Sequence, residues 1–116
     1  MECVNNLRYN IRFKKISSSE KDKSYIEEKI VSKVAKYFDD PSTVIDITLE
    51  DINGPKGGID KQINIVVDIK GESKPIKITQ KDVYVKESID KAAERLEKVL
   101  RRQKDKIVKS IKNNKK

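Results

Sequence analysis

Alternating apolar and polar residues predict four strands along this chain. Residues 7–14 give the clearest case, since an apolar side chain stands at every second position and a polar one between each pair. Pro75 has no backbone N–H to donate, so it belongs at the start of the fourth strand or on an open edge. The four alternating runs are residues 7–14, 45–50, 63–69 and 76–78.

A first helix is predicted between the first two strands, because apolar residues there recur three or four positions apart. It ends near Phe38, before an Asp-Asp-Pro-Ser turn. Its start is left open, since Ser19 can cap it, and so can Ser24 with Glu27 as a capping box. The predicted core stripe is Ile26, Ile30, Val34, Tyr37 and Phe38.

A second, much longer helix is predicted over residues 82–111. About thirty helical residues span roughly 45 Å, whereas an eight-residue strand spans roughly 26 Å, so the last turns must project beyond the sheet. Ile107, Val108 and Ile111 would then lie outside the core, which predicts a partner contact or weak self-association there. The apolar stripe is Ile89, Ala92, Ala93, Leu96, Val99, Leu100, Ile107 and Ile111.

The order of elements, β-α-β-β-β-α, predicts an α+β fold. A strand, a helix and a strand make a right-handed crossover with a parallel pair, and the two later turns make antiparallel hairpins. Because every element has one apolar side, we expect a four-stranded mixed sheet with two helices packed side by side on one face. Residues 1–111 should form this single domain, and residues 112–116 a frayed basic tail.

Charge is sorted around the long helix. At about 100° per residue, a row of its cations falls within roughly 60°, almost opposite the apolar stripe, and Asp90, Glu94 and Glu97 collect on a separate flank. The cations of this row are Lys91, Arg95, Lys98, Arg102 and Lys109. Lysines line one edge of the first helix as well, so both rows should look outward from one helical layer and form a single positive ridge. The predicted phosphate contacts are Lys29, Lys33, Lys36, Lys91, Arg95, Lys98, Arg102, Lys106 and Lys109.

The net charge of the chain is concentrated at its end. Lys and Arg number 27 against 19 Asp and Glu, a net charge of +8, and nearly all of this excess lies in residues 101–116. A concentrated cationic end indicates a polyanionic partner such as a nucleic acid. A Lys-rich end also suits the dipole of a helix C-terminus, which is the simpler structural interpretation.

Composition argues against an enzyme. The chain has no His and one Cys, which removes Cys/His zinc sites and Ser-His or Cys-His nucleophile pairs. Carboxylate-based catalysis and a magnesium site stay open on composition alone, but no phosphate-loop or dinucleotide spacing is present. We therefore predict no catalytic residues, metal, cofactor or small-molecule substrate.

The same sequence predicts a cytoplasmic protein without a membrane partner. No apolar run reaches the roughly 18 residues of a membrane span, and residues 1–6 lack the charged and apolar segments of a secretory signal. One cysteine cannot form an intrachain disulfide, which fits a reducing compartment.

Several short motifs carry a family resemblance over residues 7–109. They are Lys-Tyr-Phe at residues 36–38, Asn-Gly-Pro-Lys-Gly-Gly-Ile-Asp-Lys at 53–61, Ser-Ile-Asp-Lys-Ala-Ala-Glu-Arg-Leu at 88–96, and the basic residues 101–106. Together they resemble the ribosome hibernation-promoting factor and ribosome-associated inhibitor family, also described as sigma-factor modulation proteins, in its short form. Family members have Asp-x-Tyr-Ala-Ala directly before the Ile-Asp pair, whereas residues 85–87 are extra here. The start of the long helix should therefore be lengthened or shifted.

The resemblance implies binding to the small ribosomal subunit, in the channel used by mRNA and tRNA, and inhibition of translation during stress. Few aromatic residues are expected to stack on bases, because Tyr9, Phe13, Tyr37 and Phe38 fall on apolar faces and leave only Tyr25 and Tyr84. Recognition should then depend mainly on RNA backbone and shape. Two alternatives are a stand-alone double-stranded RNA-binding module, and a protein-interaction or dimerisation module that uses the projecting end of the long helix.

Overall fold

The computed structural model describes residues 2–4, 7–17, 19–52, 61–69 and 74–113, and the side chains of residues 2–4 and 107–113 lie outside that description. Residues 53–60, which hold most of the Asn-Gly-Pro-Lys-Gly-Gly-Ile-Asp-Lys motif, and residues 114–116 also lie outside it. Within the described residues the chain forms a mixed sheet covered on one face by helices. Its strands are β1 (Glu2–Val4), β2 (Leu7–Lys14), β3 (Val44–Asp51), β4 (Lys61–Asp68) and β5 (Ile76–Asp82).

The strands lie in sequence order, β1-β2-β3-β4-β5. β2 and β3 are parallel, as the crossover through the first helix requires, and the other neighbours are antiparallel. The predicted α+β fold and its four-stranded mixed sheet are confirmed. β1 adds a short fifth strand at the β2 edge, and its three residues are too few to show the alternation that revealed the others.

The first helix is one continuous segment with an irregular centre. It consists of α1 (Glu20–Ile26), a π-helical turn (Glu27–Val31) and α2 (Ser32–Tyr37). Ser19 is the cap, because its Oγ accepts the backbone N–H of Asp22 at 3.3 Å. A π-helical turn adds about one residue to the local turn and so rotates the residues that follow it around the axis. The simple 3.6-residue spacing could not predict that rotation.

The long helix, α3 (Val85–Asn113), begins three residues later than its pattern predicted. Asp82 belongs to β5, where it pairs with Lys61 of β4, and Val83 and Tyr84 form the turn before the helix. The predicted start at residue 82 is therefore wrong, because pairing with β4 keeps Asp82 extended. The extra residues 85–87 form the first turn of α3.

The core lies between the helices and one face of the sheet. Apolar residues at alternate strand positions, such as Ile45, Ile47 and Leu49, are completely buried beneath the helical stripes. On α3 the fully buried positions end at Leu100, while Arg101, Arg102 and residues 104–106 are exposed. The basic end of α3 thus carries no buried side chain between residues 101 and 106.

Candidate nucleic-acid interface

The outer row of α3 begins beside the edge strand β5. Lys91 Nζ lies 2.5 Å from Oδ2 of Asp82, the last residue of β5. One turn further on, Arg95 donates through Nη1 to the carbonyl oxygen of Thr79 at 2.5 Å and to Oε1 of Gln80 at 3.0 Å. The first two cations of the row are therefore fixed against the sheet. Lys98, Arg102 and Lys106 continue it on the exposed side of the helix.

The contact between Asp82 and Lys91 shifts the pKa of both residues. The hydrogen bond from Lys91 is the largest cause that lowers the pKa of Asp82 below its ordinary value, and the same bond raises the pKa of Lys91. Only 8% of the Asp82 side chain is exposed, against 55% of Lys91. The carboxylate thus holds the ammonium end of the lysine, while much of the lysine side chain still meets solvent.

Cations of the first helix point instead toward the seam between the two helices. Lys33 Nζ lies 2.8 Å from Oε1 of Glu97, and Lys36 and Arg101 each lie 3.8 Å from its other oxygen. The Tyr37 hydroxyl donates to the same Oε2 at 3.4 Å. The Lys33 hydrogen bond is the largest cause that holds the pKa of Glu97 below its ordinary value, and the charges of Lys33, Lys36 and Arg101 add to it.

Aromatic rings on the first helix hold further lysines in this seam. Lys29 Nζ and Lys86 Nζ lie 5.6 Å and 5.7 Å from the centre of the Tyr25 ring, within the range of cation–π attraction. The Tyr25 hydroxyl donates to Asp90 Oδ1, and chiefly for this reason the pKa of Tyr25 is raised to about 12. Lys104 lies 5.4 Å above the Phe38 ring in the same way. We call Lys29, Lys33, Lys36, Lys86, Arg101 and Lys104 the seam cluster.

The two cation rows do not merge. Asp90 and Glu97 on α3 contact the first helix, and Glu94 lies on the same flank, so the seam cluster is interleaved with carboxylates, whereas the outer row lies on another face of α3. The single ridge predicted from the sequence is therefore wrong. The sequence showed the acidic flank but not that it faces the first helix, where Glu97 pairs with Lys33 and Lys36. The protein thus presents two cationic surfaces, the outer row and the seam cluster, and carboxylates of α3 lie among the cations of the second.

Each predicted phosphate contact can now be placed. Lys29, Lys33 and Lys36 lie in the seam cluster, Lys91, Arg95, Lys98, Arg102 and Lys106 lie in the outer row, and Lys109 has its side chain outside the described residues. The sequence analysis missed Lys86, Arg101 and Lys104. Their positions on the acidic flank of α3, opposite Tyr25 and Tyr37-Phe38, were the available signal, since such rings and carboxylates attract cations.

The aromatic side chains are mostly engaged within the fold. Tyr9 is buried, and Phe13, Tyr37 and Phe38 pack partly buried against the core, as predicted. Tyr25, which the sequence left free to stack, is also packed against the core and bonded to Asp90. Tyr84 is 64% exposed.

Over the described residues, no group of three or more His, Cys, Asp or Glu side chains is arranged to hold a metal ion. Among the helices described, none combines the length and the apolar character that a membrane crossing needs.

Comparison with known families decides the classification. A sequence model of the family described as sigma 54 modulation protein / S30EA ribosomal protein matches residues 9–108. The chain belongs to this family. The match spans β2 to the basic end of α3, so it includes both cationic surfaces. The sigma 54 modulation / S30EA family is one of ribosome-associated modulation proteins, not of enzymes.

Solved structures carry the same fold as this member of the S30EA family. The N-terminal domain of Protein Y from Thermus thermophilus superposes with a TM-score of 0.64 at 20% identity, covering 85% of this chain and 98% of that one. A ribosomal subunit interface protein from Coxiella burnetii gives 0.68 at 16% identity, covering 85% and 99%. No curated protein sequence matches significantly.

Proposed function

We propose that this protein is a translation inhibitor of the hibernation type, which occupies the mRNA and tRNA channel of the small ribosomal subunit. The two cationic surfaces would contact ribosomal RNA phosphates, and the protein would act in the cytoplasm. Membership of a ribosome-associated family supports the partner. The names of the two structural neighbours, a Protein Y domain and a ribosomal subunit interface protein, point the same way.

The observation that carries the proposal is the outer row of α3. A helix of 29 residues spans roughly 43 Å. The exposed cations of the outer row lie on one side of this rigid rod. Regularly spaced charges on a rigid element suit the backbone of a folded RNA, whose phosphates are also regularly spaced. Since Lys91 and Arg95 are already held by β5, less side-chain freedom is lost there on binding.

Co-sedimentation with purified small ribosomal subunits tests the proposal. In the test variant, Lys98, Arg102 and Lys106 are all replaced by Glu; all three are exposed, so the fold should survive. The matched control replaces Arg8, Lys14 and Lys77 by Glu, which makes the same charge change on the opposite, open face of the sheet. We expect that the test variant no longer sediments with the subunits and that the control variant still does.

Salt dependence provides a second criterion. With roughly 6–10 phosphate contacts, affinity should fall roughly 10³- to 10⁵-fold between about 50 and 200 mM salt. A folded test variant that sediments with subunits like the native protein would refute the role of the outer row. Tighter binding to a short RNA duplex than to subunits would refute ribosomal specificity and favour a double-stranded RNA-binding module.

A further inference from the structure

Tyr84 differs from the other aromatic residues of the chain. Phe13 and Phe38 pack against the core, and the hydroxyls of Tyr9, Tyr25 and Tyr37 are bonded to carboxylates. Tyr84 is 64% exposed, and its neighbour Val83 is 42% exposed. An exposed tyrosine leaves apolar ring surface in water, where it gains free energy by stacking on another flat ring.

The backbone that carries Tyr84 is held on both sides. Asp82 Oδ1 accepts the N–H of Val83 at 2.8 Å, and Lys91 binds the other oxygen of the same carboxylate. On the helical side, the N–H of Ser88 donates to the carbonyl oxygen of Tyr84 at 3.0 Å. The ring is therefore exposed from a fixed turn, so binding a flat ligand there orders little additional backbone.

Tyr84 also stands at the head of the outer row. It immediately precedes Val85, the first residue of α3, and stands seven residues before Lys91, a rise of roughly 10 Å along the helix axis. Lys81 and Lys86, both exposed, lie on either side of it in sequence. A nucleic acid strand whose phosphates follow the outer row would thus bring its next nucleotides to the Tyr84 ring.

We propose that Tyr84 is a stacking platform for an unpaired RNA base at the end of the phosphate-binding row. This inference rests on the proposed function and adds to it the class of RNA that is recognised. A paired base keeps both faces covered by its neighbours in the helix, whereas an unpaired base offers a free face to an aromatic ring. The preferred ligand is therefore RNA with a single-stranded segment next to a backbone that the row can follow.

Tyrosine 84 can be turned into a fluorescent reporter because the chain contains no Trp. In the Tyr84→Trp variant, a short single-stranded oligoadenylate should quench the emission of the one tryptophan as a base stacks on it. Heparin, a polyanion without bases, is the matched ligand control and should bind without that quenching. Equal quenching by heparin and oligoadenylate, or none by either, would overturn the stacking.

Affinity gives an independent measurement. Tyr84→Leu removes the ring but keeps an apolar side chain, and Tyr84→Phe keeps the ring, so only the first should weaken binding to oligoadenylate and to small subunits, by roughly tenfold. Circular dichroism checks that both variants are folded. If Tyr84→Leu loses subunits while oligoadenylate leaves the Trp emission unchanged, Tyr84 contacts a ribosomal protein and the inference is wrong.

The two proposals fail separately. If the native protein does not sediment with small subunits, the proposed function is wrong, whatever the oligoadenylate measurements give. If native binding is intact and Tyr84→Leu binds equally tightly, the stacking platform alone is wrong.

Discussion

Lys33 in α2 and Glu97 near the middle of α3 join the two helices, with Nζ of the lysine 2.8 Å from Oε1 of the glutamate. The two residues are 64 positions apart in the sequence. Lys36 and Arg101 each lie 3.8 Å from the other oxygen of the same carboxylate. Three cations thus surround a single acidic residue.

Replacing Glu97 by Gln should lower the free energy of unfolding at neutral pH, since it leaves Lys33, Lys36 and Arg101 close together without a counter-charge. The folded-state pKa of Glu97 is lowered from its ordinary value of 4.5. Its contribution is therefore present above pH 4.5 and is lost as the pH falls through the lower folded value. Urea unfolding of both proteins across this range should show the difference shrinking in acid.

Glu94→Gln is the matched control for that experiment, because Glu94 is exposed on the same flank one turn away. It should unfold much like the native protein at every pH. A Glu97→Gln variant as stable as the native protein at neutral pH would show that the seam contacts contribute no net stability.

Replacing Lys91 by Met should raise the pKa of Asp82 toward its ordinary value of 3.8, because the lysine hydrogen bond is the main cause of the lowering. An NMR titration of the Asp82 carboxyl carbon measures this directly. Lys98→Met, which changes a lysine of the outer row farther from β5, should leave the Asp82 titration as it is. An unchanged midpoint in the Lys91 variant would mean that the Val83 N–H, not the lysine, stabilises the carboxylate.

Leu96→Ala should destabilise the protein by about 2–5 kcal/mol, since Leu96 is completely buried between α3 and the sheet and the truncation leaves a cavity. Val99→Ala, at a partly buried position three residues further on, should cost less. Urea unfolding followed by circular dichroism measures both. Equal losses would indicate that the core rearranges to fill the Leu96 site.

The sequence predicted burial best where the pattern depends only on the period of a single strand or helix. Alternation predicted the inward positions of β3, such as Ile45 and Ile47, and helical spacing predicted the buried face of α3 through Leu96 and Leu100. Both follow from the period of the element and need no knowledge of its neighbours. The fold class and the core followed from these periods.

The candidate interface was harder to predict, because it depends on which neighbour lies on each flank of a helix. Nothing in the local pattern shows that Glu97 meets Lys33, or that Lys91 turns to Asp82 at the end of β5. The π-helical turn at Glu27–Val31 adds a rotation that a regular spacing does not include. The cations of the outer row were therefore predictable from the sequence, whereas the full membership of the seam cluster and its pairing with carboxylates were not.

Tyr25 and Asp90 give a prediction for alkaline pH. The hydrogen bond from the Tyr25 hydroxyl to Asp90 favours the neutral phenol, and the pKa of Tyr25 is raised from 10.0 to about 12. A group whose pKa is higher in the folded state contributes stability that is fully present below pH 10.0 and lost as the pH rises through about 12. Asp90→Asn should therefore bring the Tyr25 titration, followed by phenolate absorbance, back toward 10.0, and destabilise the protein at neutral pH. Tyr25→Phe identifies which absorbance step belongs to Tyr25, and a high-pH step that persists unchanged in Asp90→Asn would contradict the assignment of Asp90 as its cause.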